Sequence, residues 1–359
     1  MDDGGGELHG RGGKETVQMK CAVFRGAKQL TIEDRPVPAV GEGQVLIQVK
    51  ACGVCGTDVH IYEGGQGAAD CPPGTVLGHE FSGIVAQTGP GVGRVRVGDR
   101  VCVDPNKTCG ECEYCQSGLD HFCQSMMGIG TTVDGGFAEY CVVPQSQVYP
   151  IGADTAFEEA AMAEPVACCL HGLDLCQIQP GSHVAVIGGG MIGQIMLQLA
   201  RLAGASFTAL LEPVAEKRAV ARRLGADLAV DPLGEDAAQC LDRAGVRRLD
   251  RVIECAGLPS TMAQAVELAG KKSIVMLFGL TKPEDTVAIR PFELFQKELE
   301  LKASYINPHT QGRAVELIDR HKIDVSSMVC PAQPLSRLEE ILSSPAVRAK
   351  GKYIIHPFE

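Results

Sequence analysis

Along the first part of the chain, apolar residues come in short runs separated by polar residues and turn formers. Val45-Leu46-Ile47-Gln48-Val49 and Phe81-Ser82-Gly83-Ile84-Val85 have the length and composition of strands. Pro72-Pro73-Gly74, Gly98-Asp99 and Asp134-Gly135-Gly136 punctuate the segment as turns. This pattern predicts a β-rich, barrel-like unit over residues 19–155. Beyond residue 155 the period changes. Residues 157–163 read as helix. Strands at 183–187, 207–211, 228–230, 251–254 and 273–278 then alternate with helical stretches such as 192–203 and 215–224. Such alternation predicts an α/β, doubly wound parallel sheet over residues 156–298. From 299 to 359 the pattern is mixed again, and the chain is expected to return to the first unit. The parallel sheet would then be inserted between the two pieces of the other unit. Residues 1–18, rich in glycine and charge, hold too little apolar surface to order themselves and are expected to be a flexible leader.

Composition narrows the classes that such a chain can belong to. Its 359 residues allow two domains, and 45% hydrophobic residues supply a sizeable core. No apolar run reaches about 18 residues, so no membrane span is expected. No charged, apolar and cleavage-site sequence opens the chain, which points to the cytoplasm. The net charge is −11 without a long basic run, so nucleic acid is not an expected partner. Sixteen cysteines in a long chain of this kind are better explained by metal ligation and reduced core thiols than by disulfides. Cys168, Cys169 and Cys176 lie among apolar residues and are expected to be packing residues.

Three chemical signatures stand on this frame. Cys109, Cys112 and Cys115 are spaced by two residues, and Cys123 follows after seven. Four thiolates suit a closed, tetrahedral structural Zn²⁺ in a lobe over about residues 105–125. The run Val184-Ala185-Val186-Ile187-Gly188-Gly189-Gly190-Met191-Ile192-Gly193 places Gly188, Gly190 and Gly193 between a strand and a helix. That context makes it a Rossmann dinucleotide fingerprint, with pyrophosphate on the helix N-terminus at Met191 and Ile192. Glu212 ends the next strand, where an acid accepts both adenosine ribose hydroxyls and repels a 2′-phosphate; NAD is expected rather than NADP. Lys217 and Arg218, which could reach a 2′-phosphate, read as a solvated helix face. Cys255-Ala256 and Gly279-Leu280, after later strands, present small residues against which a cofactor can lie.

The third signature is the pair of segments Cys52-Gly53-Val54-Cys55-Gly56-Thr57-Asp58-Val59-His60 and Gly78-His79-Glu80. Cys55 offers a thiolate and His79 an imidazole. Glu80, or Glu164 in Ala163-Glu164-Pro165, can add an oxygen. Three protein ligands with one position left for water or substrate make an open, catalytic zinc site. Cys52 competes for the role of Cys55, and a Cys-x-x-Cys pair can also serve redox exchange in a thioredoxin-like setting, which this chain does not suggest.

With these residues in this order, from Met19 to Glu359, the chain resembles the zinc-containing medium-chain alcohol dehydrogenases. Within them it is most similar to the sorbitol (polyol), butanediol and threonine dehydrogenase branch. The resemblance implies a GroES-like catalytic domain carrying an inserted Rossmann domain and two zinc ions per chain. It implies Cys55, His79 and Glu80 as catalytic ligands, with Glu164 approaching the metal directly or through water. It implies Thr57 and His60 as a proton relay, Asp58 as a brace for the loop or the ligands, and a homo-oligomer, tetramer or dimer. The implied reaction is hydride transfer between NAD and a secondary alcohol/ketone pair. Where the sorbitol-type pattern has an arginine, this chain has Ser304, beside Tyr305 and near Asn307; that departure turns attention from sorbitol toward diols, threonine, cyclitols or sugar phosphates. A catalytically silent zinc- and NAD-binding protein is the non-enzyme alternative, and the intact set of Cys55, Thr57, His60 and His79 argues against it.

Overall fold

The computed structural model describes residues 17–65 and 70–359. Most of the expected leader therefore lies outside the described residues. The chain enters through a hairpin of β1 (Gln18–Gly26) and β2 (Gln29–Pro36). Next come β3 (Gln44–Gly53), α1 (Gly56–Tyr62), β4 (Glu80–Thr88) and β5 (Arg100–Val103). A lobe follows, with β6 (Asn106–Lys107), α2 (Glu113–Gln116) and β7 (Met127–Gly128), and then β8 (Tyr140–Pro144) and β9 (Val148–Pro150). β3 is long and central: it pairs antiparallel with β4 along its length, and with β8 over its first half. Its inward residues Val45, Ile47 and Val49 join Phe81, Val85, Val101 and Val143 in one core. Alternate burial of this kind is what the apolar runs predict for strands.

The helical stretch expected at 157–163 is broken. α3 (Phe157–Ala161) stops at Met162, and α4 (Ala163–Cys176) starts anew. Pro165 falls in the first turn of α4, where its missing N–H costs nothing. Beyond it are β10 (His183–Ile187), α5 (Met191–Leu202), β11 (Phe207–Leu211), α6 (Ala215–Arg223), β12 (Leu228–Val230) and α7 (Ala237–Arg243). β13 (Arg251–Glu254), α8 (Pro259–Leu268), β14 (Ile274–Leu277), α9 (Pro291–Lys297) and β15 (Glu300–Ala303) complete a six-stranded, all-parallel sheet. Its order is β12-β11-β10-β13-β14-β15, the doubly wound order of Rossmann sheets. The sheet takes in residues beyond 298 because β15 adds to its edge alongside β14.

Both faces of this sheet are covered. Val184 and Val186 of β10 pack with α4, α5 and α10 (Gln311–Asp319), while Ala185 and Ile187 point into a second core with Val252, Val275 and Leu241. Burial on both sides explains the continuous apolar runs of these strands. After α10 the chain rejoins the first sheet: β16 (Gln333–Pro334) pairs with β17 (Ile354–His356), which lies antiparallel against β3. No helix among the described residues is long and apolar enough to cross a membrane.

Candidate metal centre and cofactor cleft

Local backbone geometry brings the first ligand set together. β3 ends at Gly53, and Cys55 stands at the N-cap of α1. Asp58, in the first turn, accepts the Cys55 backbone N–H through Oδ2 at 2.8 Å. Its other oxygen, Oδ1, lies 3.4 Å from His79 Nδ1. One fully buried carboxylate thus braces the Cys55 loop and faces His79, the part expected for Asp58. With Nδ1 turned toward Asp58, Nε2 is the ring nitrogen left for a metal. Gly78 has φ +97°, a left-handed conformation, and a side chain there would press on Cys52 Sγ at 2.7 Å and on Phe137 N at 2.8 Å. This turn delivers His79 and Glu80 to the start of β4.

Cys55, His79 and Glu80 each offer a ligand atom within 4.8 Å of the others. Glu80 Oε1 is buried and has no hydrogen-bond partner. Such an orphaned group is costly unless something binds there, so the residues fit a metal ion. Burial presses the His79 imidazole toward neutrality, but Asp58 and then Cys55 outweigh it and raise its pKa well above the ordinary histidine value. Cys52, the competing thiol, is enclosed in β3 outside this group, and burial pushes its pKa far up.

Glu164, from the first turn of α4, is not among the three residues within 4.8 Å. Its Oε1 accepts a hydrogen bond from Cys168 Sγ at 3.3 Å. Cys168 is therefore not the plain packing residue expected of it: one helical turn from Glu164, it shares that face of α4. Burial pushes the Glu164 carboxyl up to about 7, with His79 pulling it down and Glu80 pushing it up. Thr57 Oγ1 is 3.8 Å from Cys55 Sγ, and His60 follows three residues later on α1. One residue was missed altogether. Lys352, just before β17, forms an ion pair with Glu80, and both side chains are nearly inaccessible. Nothing local marks it, because the contact joins opposite ends of the chain.

The second ligand set forms the lobe. The Sγ atoms of Cys109, Cys112, Cys115 and Cys123 lie within 4.8 Å of one another. Cys109 and Cys115 are 3.9 Å apart, and Cys112 and Cys115 are 3.5 Å apart. Zinc–thiolate bonds of about 2.3 Å at tetrahedral angles require sulfur–sulfur edges of about 3.8 Å. Backbone N–H groups of Glu111 and Cys112 point at Cys109 Sγ, and that of Ser125 at Cys123 Sγ, at 3.3–3.4 Å. Backbone N–H groups of Cys115 and Gln124 bring the Cys112 thiol down to about 6, which favours the thiolate. The set fits a structural zinc ion.

At the parallel sheet the fingerprint residues converge where the strand order reverses, between β10 and β13. Gly188 (φ +98°) comes so close to the Cys255–Ala256 turn that a Cβ would sit 2.9 Å from Ala256 N. Gly257 and Gly279 likewise bring that turn against Leu280. Gly190, at the N-cap of α5 beside Met191 and Ile192, has no heavy atom within 4 Å of where a Cβ would stand. That open space at a helix N-terminus, closed by Gly193 behind it, suits a pyrophosphate. Buried Glu212 accepts the Gly189 N–H on Oε2 at 2.7 Å and the Val214 N–H on Oε1 at 2.9 Å. Arg218 does not face solvent as expected. Its guanidinium donates to the carbonyls of Glu212 and Pro213 at 2.7 Å and pairs with Asp231 at 3.3 Å. Glu254, unremarked in the sequence, accepts N–H groups of Ala256 and Gly257 and the Thr261 hydroxyl on one oxygen, holding the cofactor turn from beneath. α4 links the two regions: it packs against β4, which begins at Glu80, and its Cys169 lies in one apolar cluster with Cys255.

Residues 41–153 match the alcohol dehydrogenase GroES-like domain, and residues 192–320 match the zinc-binding dehydrogenase family. D-arabinitol dehydrogenase 1 of Uromyces fabae is 33% identical over 95% of this chain and 98% of its own length. The chain belongs to the zinc-containing medium-chain dehydrogenases. L-threonine 3-dehydrogenase of Bacillus velezensis (strain DSM 23117 / BGSC 10A6 / LMG 26770 / FZB42) is 32% identical over 96% of this chain and all of its own. A crystal structure of a zinc-binding dehydrogenase from Sinorhizobium meliloti 1021, bound to NADP, superposes with a TM-score of 0.91 at 37% identity, covering 95% of this chain and 100% of that one. The family member described here is a zinc-dependent NAD(P) dehydrogenase of the polyol and threonine branch.

Proposed function

We propose that the protein interconverts a secondary alcohol, of the polyol or diol kind, and its ketone, with NAD as hydride carrier. The observation that carries this reading is the grouping of Cys55, His79 and Glu80, linked through α4 to the cofactor turn at Cys255. A zinc ion held there supplies Lewis acidity that lowers the pKa of a substrate hydroxyl. Thr57 and His60 lie three residues apart on α1 and so share one face. Thr57 would take the hydroxyl proton, and His60 would pass it on toward solvent. Asp58 keeps Cys55 and His79 in place, and Glu164 contributes to the metal directly or through water. The catalytic part is taken as residues 19–155 and 304–359, and the cofactor part as 156–303, which includes β15.

Glu212 supports NAD rather than NADP. Each carboxylate oxygen accepts one backbone N–H and keeps a further lone pair for a ribose hydroxyl. A 2′-phosphate would meet that buried charge at close range.

Tyr305 and Asn307 part company. Tyr305 stacks on Phe122 of the lobe with ring centroids 5.8 Å apart, while Asn307 is buried among Asn106, Asp104 and Gln311. With Ser304 in place of an arginine, the relative acting on threonine gives a second reading, L-threonine oxidation, and cyclitols and sugar phosphates stand beside it. NAD⁺ and NADP⁺ reduction followed by absorbance, over polyols, diols, cyclitols, sugar phosphates and threonine, tests the proposal. Turnover on at least one secondary alcohol, faster with NAD⁺, is expected. Absence of turnover on all of them with zinc-loaded protein would leave only a binding function.

A further inference from the structure

The lysine beside the metal group is unused in the reading above. β17 pairs antiparallel with β3 so that Ile354 lies opposite Gly53, and on the other side of β3 Gly53 lies opposite Glu80. Strand residues two apart share a face, so Lys352 projects on the same side as Ile354. Three adjacent strands thus bring Lys352 and Glu80 together over a central residue that has no side chain. A Cβ on Gly53 would collide with Glu80 Oε2 and stand 2.9 Å from Lys352 Cε. The two side chains are 4% and 1% exposed, and Glu80 is the only ion-pair partner of Lys352 among the described residues. The Lys352 ammonium touches Oε2 of Glu80, while Oε1 is buried without a partner. Cys55 and Asp58 also lie within electrostatic reach of the ammonium.

We propose that Lys352 is a positioning residue for the catalytic metal: it holds Glu80 by Oε2, so that Oε1 alone is presented toward Cys55 and His79. The inference rests on the reading of Cys55, His79 and Glu80 as one metal group. A carboxylate pinned from behind has lost its swing before the ion arrives, so less freedom is lost on binding. Replacing the ammonium by an apolar group frees Glu80 and strands its charge in a buried site. A simple charge effect has the opposite sign, because removing a cation from beside a dication would tighten the hold on it.

The test is the rate of zinc release from the full-length, zinc-loaded protein to a chromogenic chelator. Two phases are expected, one for each site. Cys112→Ser identifies the lobe phase and Cys55→Ser the catalytic phase. Lys352→Met should speed the catalytic phase by about tenfold or more, as changes behind metal ligands commonly do. The lobe phase in the same molecules should stay unchanged, which a general loosening of the fold would not allow. Lys352→Gln, which keeps a donor for Glu80 and is easier to fold, should fall between the two. An unchanged or slower catalytic phase in either variant overturns the proposal. If Cys55→Ser keeps both phases, the metal-group reading itself falls, whatever Lys352→Met does.

Discussion

At the scale of single residues, chemistry was legible wherever the ligand types sit close in sequence. Cys55, Thr57, Asp58 and His60 occupy six positions, and His79 and Glu80 are adjacent, so they could be singled out before any fold was known, with their proposed roles supplied by the family resemblance. Contacts set by tertiary packing were not legible. Cys168 reads as an apolar-run cysteine until α4 turns it toward Glu164, and nothing local marks Lys352, which the fold buries against Glu80. Glu212 belongs between these cases. Its position after β11 makes it the proposed ribose ligand, while its bonds to the N–H groups of Gly189 and Val214 show that it shapes the glycine loop. Glu212→Ala should therefore act twice, on affinity and on discrimination. Steady-state kinetics should show KM for NAD⁺ rising roughly tenfold, as expected for lost charge-assisted hydrogen bonds. The preference for NAD⁺ over NADP⁺ should shrink at the same time. An unchanged preference would mean that Glu212 does not read the ribose.

At the scale of elements, five of the six strands of the parallel sheet were predicted almost to the residue, and the edge strand β15 was not. Both of their faces are buried, and a continuous apolar run leaves little choice. The helix expected at 157–163 fared less well, since periodicity says nothing of the break at Met162. The lobe is the opposite case. α2 has only four residues, none of them buried, so no hydrophobic core holds this segment. Its order depends on four sulfur atoms that must be bridged. Cys112→Ser should remove about one zinc per chain, lower the melting temperature and open residues around 109–123 to proteolysis. Metal analysis and limited digestion check this. Equal zinc content and equal resistance to protease would show that the lobe holds itself.

At the scale of the whole molecule, a polar cluster ties the returning segment to the end of β5. Asp104, at the end of β5, accepts the Asn106 backbone N–H at 3.1 Å and the Asn307 side-chain amide at 3.3 Å, both on Oδ1. Asn307 in turn meets Asn106 of the lobe and Gln311 of α10. Burial pushes the Asp104 carboxyl from 3.8 up to about 6, although these two donors pull it down. The folded protein thus binds this proton more tightly than the unfolded chain does. Its contribution is fully present below about pH 4 and is lost as pH rises through about 6. Asp104→Asn keeps Oδ1 and both hydrogen bonds without the charge. It should stabilise the fold by about 1–2 kcal/mol at about pH 8, with half or less of that gain at about pH 5. Thermal melts at the two values decide it, and a destabilised variant at the higher pH would refute the account. Residue types and spacings alone were enough for the four-cysteine set, the nucleotide fingerprint and the alternating architecture, because each depends on short-range pattern. The choice among Glu80, Glu164 and Cys52 at the other site needed the family resemblance. Long-range placement belonged to the fold: β17 laid beside β3, Lys352 brought to Glu80, Asn307 to Asp104 and Glu254 beneath the cofactor turn. Those pairings follow from strand register and buried charge balance between distant segments, which no local pattern along the chain encodes.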